Sequence, residues 1–260
     1  MCGFLFCSLS DSVVAKDKRG TVEYYQRAAE QGDAVAQYNL GLIYEEGRDA
    51  PKDQHKAVEL YRMAAEQGYA DAQYKLGVAY KRGRGVASDE DKAVELYRMA
   101  AEQGHADAQY QLGVVHEEEG STPEDARKAV GWYRKAAEQG HAQAQTKLGT
   151  MYAGGRGVTR SARKAVGWYR KAAEQGDANA QVFLGARYAK GYGVPKNERK
   201  ALEWYKKAAI QGDDEAQYNV GTMYEAGRGT PRDTSKALEW YQKAADQGNG
   251  DAKNALIRLK

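Results

Sequence analysis

The chain has 260 residues, of which 42% are hydrophobic and 29% are charged, and its formal net charge is +3 at neutral pH. The mean hydropathy is −0.80 and no apolar run reaches the length of a bilayer-spanning helix, which excludes an integral membrane protein of the helical kind. Both cysteines, Cys2 and Cys7, lie near the N-terminus, so the remainder of the chain needs neither a disulfide nor a thiolate metal site. No Lys or Arg precedes the short apolar stretch at residues 3–6, so we expect no signal peptide and a cytoplasmic location.

A five-residue phrase, Ala-Ala-Glu-Gln-Gly, recurs at intervals of 36 residues along the chain. A fixed period of this size is typical of stacked-repeat proteins, in which each unit buries its apolar face against its neighbours. The phrase begins at Ala28, Ala64, Ala100, Ala136 and Ala172, and returns with one substitution at Ala208 and Ala244. We therefore predict an eroded repeat or cap at residues 1–27, six units at residues 28–63, 64–99, 100–135, 136–171, 172–207 and 208–243, and a capping helix at residues 244–260.

Each unit is predicted to hold two helices. In the first unit, small and apolar residues at helical spacing predict one helix over residues 34–46 and a second from residue 52 or 53 to residue 67. Gly47 and Gly68 suit the left-handed positions that end helices. Residues that favour helix N-caps recur in front of every second helix: Asp53, Asp89, Asp125, Ser161, Asn197 and Asp233.

A glycine in the middle of each first helix costs about 1 kcal/mol relative to alanine, so its recurrence needs a packing reason. The glycines are Gly41, Gly77, Gly113, Gly149, Gly185 and Gly221. We predict that a ring on the second helix approaches too closely for a Cβ. The candidate rings are Tyr61, Tyr97, Tyr133, Tyr169, Tyr205 and Tyr241.

The repeated pattern resembles the Sel-one-like repeat (SLR) family, a relative of the tetratricopeptide repeat. The unit at residues 136–171 carries the pattern most completely, with Leu148-Gly149, Tyr152, Gly155-Arg156-Gly157-Val158 and Trp168-Tyr169. The resemblance implies an all-α fold, a right-handed α/α superhelix of antiparallel helix pairs whose first helices line a concave face. It also implies a protein-interaction scaffold or adaptor that binds a peptide or a partner domain on that face.

Two other functions stay open, an enzyme of the hydrolase kind and a nucleic-acid-binding protein. A cysteine-rich branch of the SLR family is associated with β-lactamase activity, but the repeats here contain no cysteine. The four histidines are His55, His105, His116 and His141, and no convergent acid–base pair accompanies them. We therefore expect a protein that is not an enzyme, with no catalytic, cofactor-binding or metal-binding residues.

Charge is distributed unevenly along the chain. Residues 1–126 hold 14 Lys or Arg and 23 Asp or Glu, a net charge of −9, whereas residues 127–260 hold 25 and 13, a net charge of +12. The basic half predicts attraction to an acidic protein segment and leaves nucleic-acid binding as an alternative. The positions that would read bases change the sign of their charge between units, so we expect no nucleic acid as partner. We also expect no membrane partner. The oligomeric state stays open.

A repeat scaffold places specificity where its units differ. On the first helices, these variable positions predict a partner-binding set: Asn39, Lys75, Arg82, Gln111, Lys147, Phe183, Arg187, Lys190 and Asn219. Phe183 and Arg187 replace mainly polar or aliphatic counterparts, and we predict that they form an anchor.

Overall fold

The computed structural model describes residues 18–118, 120 and 122–259. Cys2, Cys7, Glu119 and Ser121 lie outside these residues. This described part of the chain is all-α and contains no strand. Its helices are α1 (Lys18–Glu30), α2 (Ala34–Glu46), α3 (Gln54–Glu66), α4 (Ala70–Arg82), α5 (Glu90–Glu102), α6 (Ala106–Glu118), α7 (Pro123–Glu138), α8 (Ala142–Gly154), α9 (Ala162–Glu174), α10 (Ala178–Lys190), α11 (Glu198–Ile210), α12 (Asp214–Ala226), α13 (Thr234–Asp246) and α14 (Gly250–Leu259).

The helices alternate between two types. The even-numbered helices, here called A helices, are the predicted first helices, and the odd-numbered B helices are the second ones. Helix α2 begins and ends where the sequence predicts it. Helix α1 occupies the span of α3 shifted by 36 residues, so the chain before the first full repeat already follows the repeat pattern.

Two compact units divide the chain, Met1–Ala108 and Gln109–Lys260, called the N-terminal unit and the C-terminal unit. Within each unit, an A helix packs on the B helix that follows it, and that B helix packs on the next A helix. The core of the C-terminal unit consists largely of alanines and of the predicted B-helix tyrosines, with Tyr133 and Tyr241 fully buried. The fold is thus an α-solenoid of 36-residue helical hairpins.

Five of the six predicted N-caps are confirmed. Asp53, for example, accepts a hydrogen bond from the Lys56 amide at 3.0 Å, and Asp89, Ser161, Asn197 and Asp233 cap their helices in the same way. The prediction for Asp125 is wrong. Helix α7 begins earlier, because Pro123 is suited to a first helical position and Thr122 accepts a hydrogen bond from the Asp125 amide at 3.2 Å.

The close approach of glycine and tyrosine is confirmed in every hairpin. A Cβ added to Gly41 would lie 2.6 Å from Tyr61 Cε1, and one added to Gly149 would lie 2.7 Å from two ring carbons of Tyr169. The ring has no room to withdraw, since Tyr169 is buried. Each hairpin therefore requires both the bare glycine and the ring opposite it.

A glutamine clamp joins successive hairpins. In the C-terminal unit, the buried Gln145 donates from Nε2 to the Ala137 carbonyl at 3.0 Å and accepts at Oε1 from Gln175 at 2.8 Å. The same pair recurs as Gln37 with Gln67 and Gln73 with Gln103 in the N-terminal unit, and as Gln181 with Gln211 and Gln217 with Gln247 in the C-terminal unit. These bonds satisfy amide groups that burial would otherwise leave unpaired.

Replacing Gly149 by alanine tests the glycine–tyrosine seam. The added methyl group meets the Tyr169 ring, and overpacking of this kind costs about 1–3 kcal/mol, which outweighs the gain in helix propensity of about 1 kcal/mol. We expect a lower urea midpoint than that of the wild type. The matched control is Gly167→Ala on the exposed side of α9, where a Cβ would meet nothing within 4 Å. This control should raise the midpoint, and a Gly149→Ala protein as stable as the Gly167→Ala protein would contradict the seam.

Candidate functional site

The A helices of neighbouring hairpins lie side by side and are linked by polar contacts. In the C-terminal unit, Glu117 on α6 accepts a hydrogen bond from Lys147 Nζ on α8 at 2.8 Å. Thr146 on α8 donates to Asp177, the N-cap of α10, at 3.1 Å. These contacts make the exposed sides of α6, α8 and α10 one continuous surface, called here the A-helix face.

A cavity of about 290 Å³ opens on this face. It lies among three successive A helices and carries both rings and polar groups. Its lining is formed by Tyr110, Glu117, Gln143, Thr146, Lys147, Thr150, Asp177, Asn179 and Phe183. The cavity therefore offers an apolar ring environment together with hydroxyl, carboxylate and ammonium groups.

The carboxylate of Glu117 is the electrostatic centre of the cavity. It accepts hydrogen bonds from Tyr133 Oη at 2.7 Å, from Lys147 at 2.8 Å and from Arg156 at 3.2 Å, and its side chain is only 15% exposed. Burial by itself would raise the pKa of Glu117, but the hydrogen bonds from Lys147 and Tyr133 outweigh this effect and hold the pKa below its ordinary value. Burial and the bond to Glu117 together raise the pKa of Tyr133 far above its usual range.

The same three-residue arrangement occurs twice more. In the N-terminal unit, Glu45 accepts from Tyr61 at 2.6 Å and from Lys75 at 2.9 Å. In the C-terminal unit, Glu225 accepts from Tyr241 Oη at 2.7 Å and from Arg258 at 2.6 Å. A buried tyrosine of a B helix thus presents its hydroxyl to an A-helix carboxylate, which the next A helix neutralises.

The predicted partner-binding residues fall into different environments. Lys147 and Phe183 both line the cavity, and Phe183 is 38% exposed with its ring 5.1 Å from that of Tyr169. Arg187 also contacts Tyr169, with its guanidinium 5.9 Å from the centre of that ring. Lys75 is engaged by Glu45. Arg82 and Lys190 are exposed in the last turns of α4 and α10, whereas Asn39, Gln111 and Asn219 are half-buried on α2, α6 and α12.

Seven of the cavity residues were not predicted from the sequence, namely Tyr110, Glu117, Gln143, Thr146, Thr150, Asp177 and Asn179. One of them could have been found. Thr146 and Val182 occupy the position held by Tyr38, Tyr74, Tyr110 and Tyr218 in the other repeats, and a smaller side chain among tyrosines marks a place where a ring is missing. The role of Glu117 needed the three-dimensional position of Lys147, 30 residues away.

A second cavity, of about 400 Å³, lies in the N-terminal unit among α3, α4 and α5. Its lining includes Leu76, Tyr80, Leu96 and Met99, with Arg62 and Glu66 beside them. Leu96 stands where later repeats have tryptophan, so this larger hollow reflects a smaller side chain in a packing position. It contains none of the predicted site residues, and the smaller cavity on the A-helix face is the better candidate site.

Recurring 36-residue helical hairpins define an α-solenoid repeat protein. Each hairpin holds a glycine–tyrosine contact, and within each compact unit a glutamine side chain links a hairpin to the one before it. The Sel1 repeat family model matches seven segments, which cover most of the chain: residues 5–33, 34–69, 70–105, 106–141, 142–177, 178–213 and 214–249. The chain belongs to the Sel1 repeat family. Members of this family are generally protein-interaction scaffolds, and the solved neighbours are mostly non-enzymatic.

Solved structures resemble the chain along most of its length. The c5321 protein of uropathogenic Escherichia coli, a protective antigen displaying an SLR fold, is 40% identical over 90% of this chain, with a TM-score of 0.84. This chain spans 50% of the length of c5321. A Sel1 repeat protein from Oxalobacter formigenes is 34% identical over 88% of this chain and 96% of its own, with a TM-score of 0.74. A comparison with curated proteins finds no match.

Membrane and metal sites were also considered across residues 18–118, 120 and 122–259. Among these residues, no helix is long and apolar enough to cross a bilayer. The same residues contain no group of three or more His, Cys, Asp or Glu side chains placed to hold a metal ion. Two histidines serve as helix caps instead, since His105 and His141 accept at Nδ1 from the Ala108 and Ala144 amides at 3.2 and 3.1 Å.

Replacing Glu117 by glutamine tests the electrostatic centre of the cavity. The change weakens bonds to one tyrosine and two cations, so we expect the free energy of unfolding at pH 7 to fall by about 1–2 kcal/mol. Since the folded state holds the pKa of Glu117 below its value in the unfolded chain, the ionised carboxylate stabilises the fold above about pH 4.3. This stabilisation is lost as the pH falls through the lowered pKa.

The wild type should therefore lose more stability than the Glu117→Gln protein when urea unfolding at pH 7 is compared with unfolding at pH 4. The control is Glu174→Gln, an exposed position on α9, which should change the free energy by less than about 0.5 kcal/mol at pH 7. Equal acid sensitivity in the wild type and the Glu117→Gln protein would show that the network does not stabilise the ionised form.

Proposed function

We propose that the protein is an interaction scaffold whose A-helix face binds an extended segment of a partner protein. The observation that carries this proposal is the cavity between α6, α8 and α10, which Lys147 and the half-exposed Phe183 line together with hydrogen-bonding groups. A peptide contacts such a surface through one or two buried side chains and many peripheral contacts. The family's general role as a protein-interaction scaffold supports the proposal.

Phe183 and Arg187 are proposed as the main anchor. The ring of Phe183 rests on Tyr169 and remains exposed, so it offers apolar area that a partner can cover without rearranging the core. Arg187 lies over the same tyrosine ring, and this contact limits the freedom of its guanidinium. A preordered aromatic and arginine pair loses little conformational entropy when a partner binds.

We propose seven further partner-binding positions, each within its own unit: Asn39, Lys75, Arg82, Gln111, Lys147, Lys190 and Asn219. Lys75 and Lys147 are each engaged by a carboxylate, so their contribution is to present a compensated ion pair to the partner. Arg82 and Lys190 are exposed at the ends of their helices and are available for charged contacts. The alternatives of a hydrolase and of a nucleic-acid-binding protein receive no support from the family or its solved neighbours.

The proposed partner segment is acidic. Residues 127–260 carry a net charge of +12, and charge complementarity of this kind increases the rate of association and selects against basic partners. The effect depends on ionic strength because the screening length is about 10 Å at 0.1 M salt.

A displayed library of unstructured peptides, selected against the full chain, tests this function. We expect the selected peptides to bind at least ten-fold more weakly to the Phe183→Ala, Arg187→Ala double variant, because both anchor groups are removed. The matched control is Glu203→Ala with Lys207→Ala, two exposed positions on the B helix α11. Peptides that lose affinity for this control and keep it for the anchor variant would place recognition on the B helices and contradict the proposal.

Ionic strength provides a separate test of the acidic partner. Peptides selected at low salt should be enriched in Asp and Glu, and their affinity for the full chain should fall as sodium chloride is raised from about 0.05 to about 0.5 M. Fluorescence anisotropy of a labelled peptide measures this change. Affinities that are independent of salt would remove the charge argument and leave the apolar anchor in place.

A further inference from the structure

Tyrosine rings recur at one position of the A helices in each unit. Tyr38 and Tyr74 in the N-terminal unit have ring centres 5.9 Å from those of the B-helix tyrosines Tyr61 and Tyr97. In the C-terminal unit, Tyr110 lies 5.9 Å from Tyr133, and Tyr218 lies 5.6 Å from Tyr241. In these four hairpins, the protein's own phenol ring covers the buried tyrosine on the A-helix side.

Two successive hairpins of the C-terminal unit lack this ring, because the tyrosine position is occupied by Thr146 and then by Val182. Thr146 is the first of these two residues, and its one hydroxyl hydrogen lies between two acceptors, with the oxygen 3.2 Å from the Ala142 carbonyl and 3.1 Å from Asp177. The B-helix tyrosine of that hairpin, Tyr169, contacts Phe183 of the next A helix instead. The cavity of about 290 Å³ lies at Thr146, which lines it together with Thr150 and Phe183.

The size of the cavity suits an aromatic ring. A closed apolar cavity of about 150 Å³ is large enough to bind benzene. The cavity here is open to solvent on one side and is larger, so a substituted ring can enter with its stem pointing outward. Tyr110 and Phe183 supply rings for edge or face contacts, which are worth more than the buried area alone.

The polar lining suits a phenol hydroxyl. Asp177 already accepts from the Ala180 amide at 2.8 Å and from Thr146, and a carboxylate has about four acceptor sites. Glu117 is the second carboxylate, and Thr150 provides a hydroxyl whose oxygen accepts from Tyr169 at 3.3 Å. Acceptors of this kind favour a ring that carries a donor over a plain hydrocarbon ring.

We propose that this cavity is a specific site for a tyrosine side chain of the bound partner, which takes the place of the ring that Thr146 lacks. The proposal rests on the proposed scaffold function, because it names the side chain that the partner inserts into the A-helix face. The partner's ring lies against Tyr110 and Phe183, the two rings that line the cavity.

The test uses p-cresol, the side chain of tyrosine in isolation, with the full chain and protein-observed NMR. We expect saturable shifts for amides near Thr146, Lys147 and Phe183, with toluene binding at least three-fold more weakly because it lacks the hydroxyl. Thr146→Tyr supplies the missing ring from the chain itself and should weaken p-cresol binding at least ten-fold. Thr146→Val keeps the space but removes the hydroxyl, and should stay within about three-fold of the wild type.

Unchanged p-cresol binding by the Thr146→Tyr protein, or an equal loss in the Thr146→Val protein, would overturn the proposal. Equal binding of toluene and p-cresol would overturn the assignment to tyrosine. Should Thr146→Tyr fail to fold, the wild-type shifts decide: shifts around the cavity support the site, and shifts confined to the hairpin of Tyr218 oppose it.

The selected peptides separate this proposal from the scaffold function. Peptides that contain tyrosine and lose affinity for the Thr146→Tyr protein support both. Peptides that depend on Phe183 and Arg187 but bind the Thr146→Tyr protein normally would leave the scaffold function intact and refute the tyrosine site. Cavity binding of p-cresol with no peptide bound on the A helices would support the site and refute the scaffold function.

Discussion

The missing Cβ in the middle of each A helix is the constraint on which the rest of the structure depends. It allows a tyrosine ring of the B helix to lie against the A-helix backbone, at a distance that an alanine would not permit. The ring is thereby held in one orientation, and its hydroxyl emerges among the A-helix side chains. For Tyr61, Tyr133 and Tyr241, that hydroxyl reaches a glutamate of the A helix. A packing requirement in the core thus places a hydrogen-bond donor close to the surface where we propose that a partner binds.

The repeats differ in the groups that surround this tyrosine hydroxyl, whereas the glycine–tyrosine contact is the same in each. Where a glutamate receives the tyrosine hydroxyl, a cation from the next A helix compensates its charge, as Lys147 does for Glu117. Where no glutamate is present, as for Tyr169, the hydroxyl donates to Thr150 at 3.3 Å. The backbone geometry is the same in both cases, because the glycine and the ring are unchanged. The local charge and the space above the ring are different, and these are the properties that distinguish one binding surface from another.

The sequence predicts the scaffold far better than it predicts the site, and the reason is physical. The bounds of α2, five helix caps and the glycine–tyrosine seam follow from rules that act within one hairpin. The cap of α7 was missed because a proline and a threonine shift the start of the helix by three residues. Contacts between hairpins, such as Glu117 with Lys147, join residues 30 positions apart and depend on the packing register. Whether the cavity beside Thr146 stays open depends on the position of the Phe183 side chain, which no repeat pattern specifies.

The N-cap residues of the A helices differ in whether they stabilise the helix by a side-chain hydrogen bond or make an aromatic contact. An N-cap needs a side-chain acceptor, and losing one costs about 1 kcal/mol. Asp177 provides one beside Thr146, whereas His141 does so while stacking on Tyr110 at 4.8 Å. Tyr69 makes no side-chain cap bond and instead lies 5.2 Å from the ring of Tyr38. Helix α4 therefore lacks a side-chain cap hydrogen bond, and its N-cap residue makes an aromatic contact in its place. Such a choice is expected if side chains on this face are retained for what they present to a partner as well as for the helix they begin.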